Sequence, residues 1–323
     1  MKKKIMSDET RKGMIQMLII AAAIIVVLII FNVILDGLLL RPKNLMTVWA
    51  GCVANTIAAV GFVILFSGNI TDLSPGGVII LAGTVTGIVG NAAGIVPMVI
   101  CGVLIGVGCM ALNFTVYRFS KVPPWITGLG MLMVYESITM KYSEIQAAHG
   151  QSTVVINDDV RVLGQKPAIY ICWGVAIVIA YIYFNHTSLG IKYRAAGENE
   201  AVTKIMGINV NKALILGGVV AGAFFGFAGV IKECYNTFII PQSGMTSLST
   251  IFQPMAAALL ALALASMINV VLAIPIAAFI IGLIFNILTM FGVPSGTLTD
   301  FCLGVVVIAF AALAQRGVKG VVK

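Results

Sequence analysis

The sequence predicts an all-α fold: a polytopic bundle of about ten transmembrane helices. Apolar residues fill 60% of its 323 positions and charged residues only 10%, whereas soluble domains average about 45 to 50% and about 25%. Apolar runs of about 20 residues, long enough to cross about 30 Å of hydrocarbon, recur from end to end. No soluble domain fits between them, so we expect a single transmembrane domain covering 1–323.

The apolar runs predict the spans in chain order. The first run, 14–35, is longer than the apolar core of a signal peptide, about 7 to 15 residues, and lacks a small-residue cleavage site. We therefore expect it to stay in the protein as a helix. The predicted spans are 14–35, 45–66, 77–93, 95–117, 125–140, 168–184, 213–231, 251–271, 272–290 and 298–314.

The basic residues predict the orientation of these spans. With a cytoplasmic N-terminus, 14 of the 20 Lys and Arg residues fall on the cytoplasmic side, which leaves six outside. Positive residues concentrate on the cytoplasmic side of membrane proteins, so both termini should be cytoplasmic. The net charge of +8 is then a topology signal and does not indicate nucleic-acid binding. Five helices in each half would give halves of opposite orientation, as in an inverted repeat.

Small residues recur at four-residue spacing within several spans. Such faces let helix backbones approach closely in lipid, so we expect them at helix contacts. They are Gly83 with Gly87, Gly102 with Gly106, and the series Gly218, Gly222 and Gly226. The six cysteines are scattered without a CxxC spacing and are interpreted as packing residues. No metal site is expected.

A polar segment broken by Gly and Pro, 67–77, separates the second and third spans. It contains Asn69, Asp72 and Ser74. Irregular backbone at membrane depth must be buried in protein or line a wet cavity, so these residues are candidates for a translocation pathway. The alternative is a cytoplasmic turn in which Asp72 or Ser74 caps the next helix.

Asparagines within or at the ends of spans form a second candidate set. Each could simply bond two helices together, a contribution of about 1 kcal/mol or less. As a group they could instead bind the hydroxyls of a polyol along the pathway. The set is Asn55, Asn91, Asn113, Asn269 and Asn286, of which Asn55, Asn91, Asn269 and Asn286 are the pathway candidates.

The longest predicted cytoplasmic connection, 187–212, contains a short helix with its own start and stop signals. Asn199 can cap it, Glu198 and Glu200 suit its positive N-terminus, and Gly207 can end it. A capped helix outside the membrane suggests docking into a cytoplasmic partner, although a linker helix lying on the surface has the same pattern. The candidate docking residues are Gly197, Glu198, Asn199, Glu200, Lys204 and Gly207.

Three segments resemble a known family, and together the resemblance covers nearly the whole chain. Residues 68–76, GNITDLSPG, resemble a G-[GN]-I-D-L-S-x-G segment with one residue inserted, and 123–130, PPWITGLG, resemble P-P-F-I-x-T-L-G. Gly197, Glu198 and Asn199, followed after seven residues by GINV at 207–210, are similar to a cytoplasmic G-x-N loop. These are motifs of the permeases of ribose- and galactoside-type ABC importers, which include nucleoside and autoinducer permeases.

The resemblance implies a transport subunit in the plasma membrane of a prokaryote. The helix at 199–207 would be the coupling helix, held in a cleft of a separate ATPase subunit that carries ATP and Mg. Further partners would be an extracytoplasmic solute-binding protein and a second permease, identical or paralogous. Two departures are Val202 and Thr203 in place of an alanine pair, and the absence of the family's Gly-Gly pairs within 256–269.

The remaining sequence signals concern energy supply and catalysis. The sequence contains no Gly-Lys dipeptide, so it lacks the phosphate-binding motif of a P-loop ATPase and energy must come from a partner. No catalytic constellation or cofactor motif is found, and no enzymatic activity is expected. The connection 141–167 is long and polar, and we expect it to be extracytoplasmic and to dock the binding protein.

An ion-coupled secondary transporter is the alternative function. Carboxylates inside spans are costly and therefore suggest function, and Asp72, Glu136 and Asp300 would be the candidates. All three lie near the ends of predicted spans, where water can reach them.

Overall fold

The computed structural model describes residues 28–147, 150, 153–265, 268–292 and 297–317. Within these ranges the regular structure is helical, apart from one isolated bridge between Val155 and Phe238. Short 3₁₀ turns occupy Arg161–Gly164 and Thr246–Leu248. The helices are α1 (Pro42–Ser67), α2 (Pro75–Ala93), α3 (Ile95–Ser120), α4 (Pro124–Ala147), α5 (Ala168–His186), α6 (Ser188–Glu198), α7 (Glu200–Ile205), α8 (Val210–Asn236), α9 (Ser249–Leu264), α10 (Val270–Met290) and α11 (Thr297–Gly317).

The prediction of a polytopic helical bundle is confirmed. Among the described residues, seven helical stretches are long and apolar enough to cross a membrane. Nine of the ten predicted spans coincide with a helix, whereas the first, 14–35, lies largely outside the described residues and overlaps a helical segment only at 28–34. The inverted repeat of the two halves stays a prediction.

Two of the differences between predicted and observed boundaries affect the candidate site described below. The span predicted at 251–271 ends at Leu264, and the next helix begins at Val270 with Asn269 as its N-cap. The Asn269 Oδ1 accepts a hydrogen bond of 3.0 Å from the Val271 amide, so this asparagine separates two helices within what sequence analysis took for one apolar run. The span predicted to end at Ile231 continues to Asn236, which brings Lys232 and Glu233 into α8.

Glycines join α3 to α8 at the centre of the bundle. A Cβ atom added to Gly106 would lie 2.6 Å from the Gly226 amide nitrogen and 2.7 Å from its Cα, and would also collide with the Gly222 carbonyl. A Cβ on Gly226 would likewise collide with the carbonyl of Gly102. The two backbones are therefore in direct contact, and the predicted small-residue packing faces are confirmed.

The segment between α8 and α9 turns back into the bundle and is held there by Glu136 of α4. This carboxylate accepts hydrogen bonds from the amides of Met245, at 2.8 Å, and Ser247, at 2.9 Å. The Ser247 carbonyl packs on Gly76 at the start of α2. Glu136 is only 2% exposed, so the expectation that it lies near a water-accessible helix end was wrong, because α4 continues to Ala147.

Candidate functional site

The short helix predicted after Asn199 is present as α7. The Asn199 Oδ1 accepts hydrogen bonds from the amides of Ala201, at 3.0 Å, and Val202, at 3.1 Å. Gly207 follows the helix with a positive φ of 77°, a backbone conformation that is strained in residues other than glycine. Glu198 does not belong to this helix: it is the last residue of α6, a helix that sequence analysis missed.

Three exposed apolar residues lie on or directly after α7, beside the exposed charges of Glu200 and Lys204, and we call Val202, Ile205 and Met206 the α7 surface. Their side chains are 50%, 86% and 67% exposed, respectively. The opposite side is anchored by Thr203, which is buried and donates a hydrogen bond of 2.7 Å to the carbonyl of Ala195 in α6. Because these three exposed apolar residues lie outside the predicted membrane spans, they are candidates for contact with a partner protein.

Charged groups attach α7 to the ends of neighbouring helices. Glu200 lies 3.5 Å from Arg118 of α3 and 3.8 Å from Lys204. The Arg118 Nε also donates to Asn211 of α8. Ion pairs this exposed contribute little stability, about 1 kcal/mol or less, so their main effect is to fix the position of α7 beside α3 and α8.

Helix α6 connects the α7 surface to the transmembrane core. Gly197 packs on the backbone of Ser67 and Gly68, at the end of α1. The Tyr193 ring is only 1% exposed and lies between Gly68 and Gly217 of α8, where a Cβ at either glycine would collide with it. Helix α6 is therefore in close-packed contact with α1 and α8, so a displacement that reached α6 would press on both helices.

Removing the cap of α7 should loosen this helix locally. In Asn199→Ala, two amides lose their acceptor, which costs about 0.5 to 2 kcal/mol. We expect hydrogen exchange at residues 200–205 to accelerate by roughly 2- to 30-fold, as measured by mass spectrometry on the purified protein. The matched control is Asn209→Ala, since Asn209 caps α8 through the Lys212 amide. Equal exchange at 200–205 in both variants would contradict the capping assignment.

Most of the polar segment 67–77 is buried in protein, although Asn69 and Thr71 are exposed. Asp72 is 5% exposed and Ser74 fully buried; the Asp72 carboxylate accepts from the Ser74 amide at 2.8 Å and from the Asn113 side chain at 3.3 Å. Tyr135 in turn donates to Asn113 at 2.7 Å. Asn69 is exposed, with a positive φ of 55°. Asp72 therefore bonds to the start of α2, as in the turn alternative. It also bonds to Asn113 of α3, which in turn bonds to Tyr135 of α4.

A polar cavity of about 340 Å³ lies where α1, α8, α9, α10 and α11 meet. Asn55 of α1 lines it and donates a hydrogen bond of 2.8 Å to Gln253 of α9. Lys232 and Tyr235 line the cavity from α8. The volume lies within the range of small-molecule sites, about 300 to 1,000 Å³.

The other predicted pathway residues are dispersed. Asn91 bonds the connection after α4, donating to the Val155 carbonyl and accepting from the Asn157 amide, each at 2.8 Å. Asn269 donates to Asn185 at 3.0 Å, and Asn286 accepts from Asn44 at 2.9 Å. All three join elements of the protein to each other. Of the seven predicted pathway residues, Asn55 alone is among the residues that line this cavity.

Sequence analysis missed the main polar residues of the cavity. Lys232 was assigned to an extracytoplasmic connection because the apolar run stops at Ile231. Gln253 was read as part of an apolar span, and Tyr235 as part of a loop. The lysine directly after the apolar run could have indicated a cavity residue, because a helix can continue past a charged residue that faces a cavity.

Residues 45–311 match the family model described as branched-chain amino acid transport system / permease component. The chain belongs to this family. The matched residues include the whole of α7 and all the residues that line the cavity. As a member of this permease family with seven membrane-length apolar stretches among its described residues, the chain is a multi-pass membrane protein.

Individual members of the permease family are similar to the chain over part of its length. The ribose import permease protein RbsC of Escherichia coli strain K12 is 28% identical over 210 residues, 62% of this chain and 64% of RbsC. The fructose import permease protein FrcC of Rhizobium meliloti is 25% identical over 217 residues, 62% and 60% of the two chains. The nucleoside ABC transporter permease protein NupB of Lactococcus lactis is 40% identical over 87 residues, 27% and 23%.

The matches to RbsC and FrcC therefore each span less than two thirds of the length of those permeases. No solved structure matches the chain.

Proposed function

We propose that the chain is the permease subunit of a binding-protein-dependent ABC importer for a sugar or sugar-like solute, powered by a separate ATPase subunit. The observation that carries this proposal is the α7 surface: a capped helix with an exposed apolar face, anchored at the end of a bundle that belongs to a permease family. The relatives named as ribose, fructose and nucleoside permeases support the class of solute.

The proposed mechanism converts closure of the ATPase into movement of the bundle. Gly197, Glu198, Asn199, Glu200, Lys204 and Gly207 would form or position the contact with the ATPase, which binds ATP and Mg. Because Tyr193 lies between Gly68 and Gly217, a push on α7 reaches α1 and α8. Both helices line the polar cavity, so the same push changes the access to it.

The proposed arrangement places α7 and both termini in the cytoplasm of a prokaryote, with the chain in the inner membrane. The connection predicted at 141–167, which in the structure begins only after α4 ends at Ala147, then faces outward, where the solute-binding protein docks. In this connection Asp158 lies 3.4 Å from Arg161, and the carboxylate of Asp158 is 86% exposed. A second permease, identical or paralogous, completes the importer.

Two buried carboxylates weigh against the ion-coupled alternative. Glu136 is engaged by two backbone amides, and Asp72 by the Ser74 amide and Asn113. Such carboxylates hold the structure together, and moving protons or sodium through them would break these bonds. The side chain of Asp300 is not among those that the structure describes.

Energy coupling distinguishes the two functions. The chain, its ATPase subunit and its binding protein are reconstituted in proteoliposomes with ATP, and uptake of labelled ribose, fructose and nucleosides is measured. We expect uptake to require ATP, to stop with vanadate and to continue when the proton gradient is collapsed. Uptake that survives vanadate and stops on collapse of the gradient would show a secondary transporter instead.

A further inference from the structure

The charged group of the polar cavity is the ammonium of Lys232. This residue lies on α8, is partly buried and lines the cavity with Asn55, Tyr235 and Gln253. Insertion scales give a cost of about 2.5 to 3.5 kcal/mol for a lysine at the centre of a transmembrane helix, and charged residues within spans usually belong to a substrate or ion pathway. Lys232 lies four residues before the end of α8, where this cost is lower, but it is partly buried and so still favours a partner of opposite charge.

The described side chains do not supply that partner. The ion pairs found among them involve Arg118, Lys141, Arg161 and Lys204, and none involves Lys232. The neighbouring Glu233 is fully buried, its carboxylate lies against Gly87 of α2, and it is not among the residues that line the cavity. Consecutive helical residues point about 100° apart, which explains why these two opposite charges do not meet.

The remaining cavity groups are neutral and suited to hydroxyls. Asn55 uses one amide hydrogen on Gln253, and among the described residues the Asn55 Oδ1 and the Gln253 Nε2 have no protein partner. Tyr235 and Thr250 add hydroxyl groups, and so does Ser249, whose hydroxyl already donates to the Thr246 carbonyl at 2.9 Å. Amide and hydroxyl groups that can donate or accept hydrogen bonds therefore surround one cation. This combination suits a polyhydroxylated solute with a negative group.

We propose that the cavity binds a sugar acid, with the Lys232 ammonium contacting its carboxylate and Asn55 and Gln253 its hydroxyls. This proposal rests on the importer function proposed above and specifies its solute class. A single ammonium balances the single charge of a carboxylate, whereas a phosphate monoester carries about −1.5 to −2 at neutral pH and would leave charge unbalanced. The solute then differs from the neutral sugars named in the relatives by one charge.

The test compares acids with uncharged molecules of the same shape. The purified complex of the chain with its ATPase subunit is thermally unfolded with D-galacturonate, its methyl ester and D-galactose, and with D-glucuronate and D-gluconate. A charge-assisted hydrogen bond is worth about 1.5 to 3 kcal/mol, so at least one acid should protect at roughly 10- to 100-fold lower concentration than its uncharged counterpart.

Three variants assign that preference to Lys232. Lys232→Met should abolish it, and Lys232→Arg, which keeps the charge, should retain it. Lys212→Met, which removes an exposed lysine of the same helix, should leave it unchanged.

Asp300 lies one turn before the cavity residue Leu303 on α11, so Asp300→Asn tests whether an internal carboxylate already pairs with Lys232. A preference of equal size in wild type and Asp300→Asn supports the proposal.

Several results would overturn the proposal: protection by no acid, protection by acid and ester alike, a preference that survives Lys232→Met, or a preference seen only in Asp300→Asn. None of these depends on energy coupling. Co-purification with the ATPase and vanadate-sensitive hydrolysis are measured on the same samples, so failure of the importer function would appear separately as loss of those two properties.

Discussion

Replacing Gly106 by valine should prevent the bundle from assembling. The Cβ atom of the new valine would collide with the backbone of Gly222 and Gly226 on α8. Overpacking costs about 1 to 3 kcal/mol where side chains can move aside, and here the obstacles are backbone atoms, so we expect a loss of at least about 3 kcal/mol. The measurement is the yield of monodisperse protein after detergent extraction, which should fall to background.

Gly108→Val is the matched control for this substitution. Gly108 lies on the same helix, two residues away, is exposed, and has no atom within 4 Å of a Cβ built on it. This variant should extract and elute like the wild type. If both variants gave normal yields and melting temperatures, α3 and α8 would not be in backbone contact in the folded protein.

Replacing Ile205 by aspartate should uncouple the protein from the ATPase subunit that we propose as its partner. Ile205 is 86% exposed at the centre of the α7 surface, and burying it in the cleft of a partner would make it a major contributor to binding. Such residues contribute about 2 kcal/mol or more, so the Kd for the ATPase should rise at least roughly 30-fold. Titration of ATPase subunit onto the detergent-purified chain measures this.

The control keeps the same position apolar. Ile205→Met preserves volume and hydrophobicity and should bind the ATPase within about threefold of the wild type, since such swaps usually cost under about 1.5 kcal/mol. Both variants should melt like the wild type, because an exposed side chain adds little to folding. Wild-type affinity in Ile205→Asp would show that the α7 surface is not the docking site.

The sequence by itself determined the features that depend on local pattern. Apolar runs predicted nine helices that the structure describes, because a helix in lipid must satisfy its backbone within its own segment. The glycine spacing on α3 and α8 predicted that each has a closely packed face, since close approach requires the absence of side chains at fixed intervals, but not that these two helices pack on each other. Asn199 and Gly207 predicted the ends of α7, because caps act within four residues of the chain.

The tertiary structure alone decided which polar residues meet. Asn91, Asn269 and Asn286 have the same local pattern as Asn55, yet each of the three bonds two parts of the protein together, and Asn55 reaches the cavity. Lys232 became a cavity residue because elements as distant as α1 and α11 enclose the last turns of α8. The physical reason is that a side chain's hydrogen-bonding partners are set by contacts between residues far apart in the chain, and no local pattern records them.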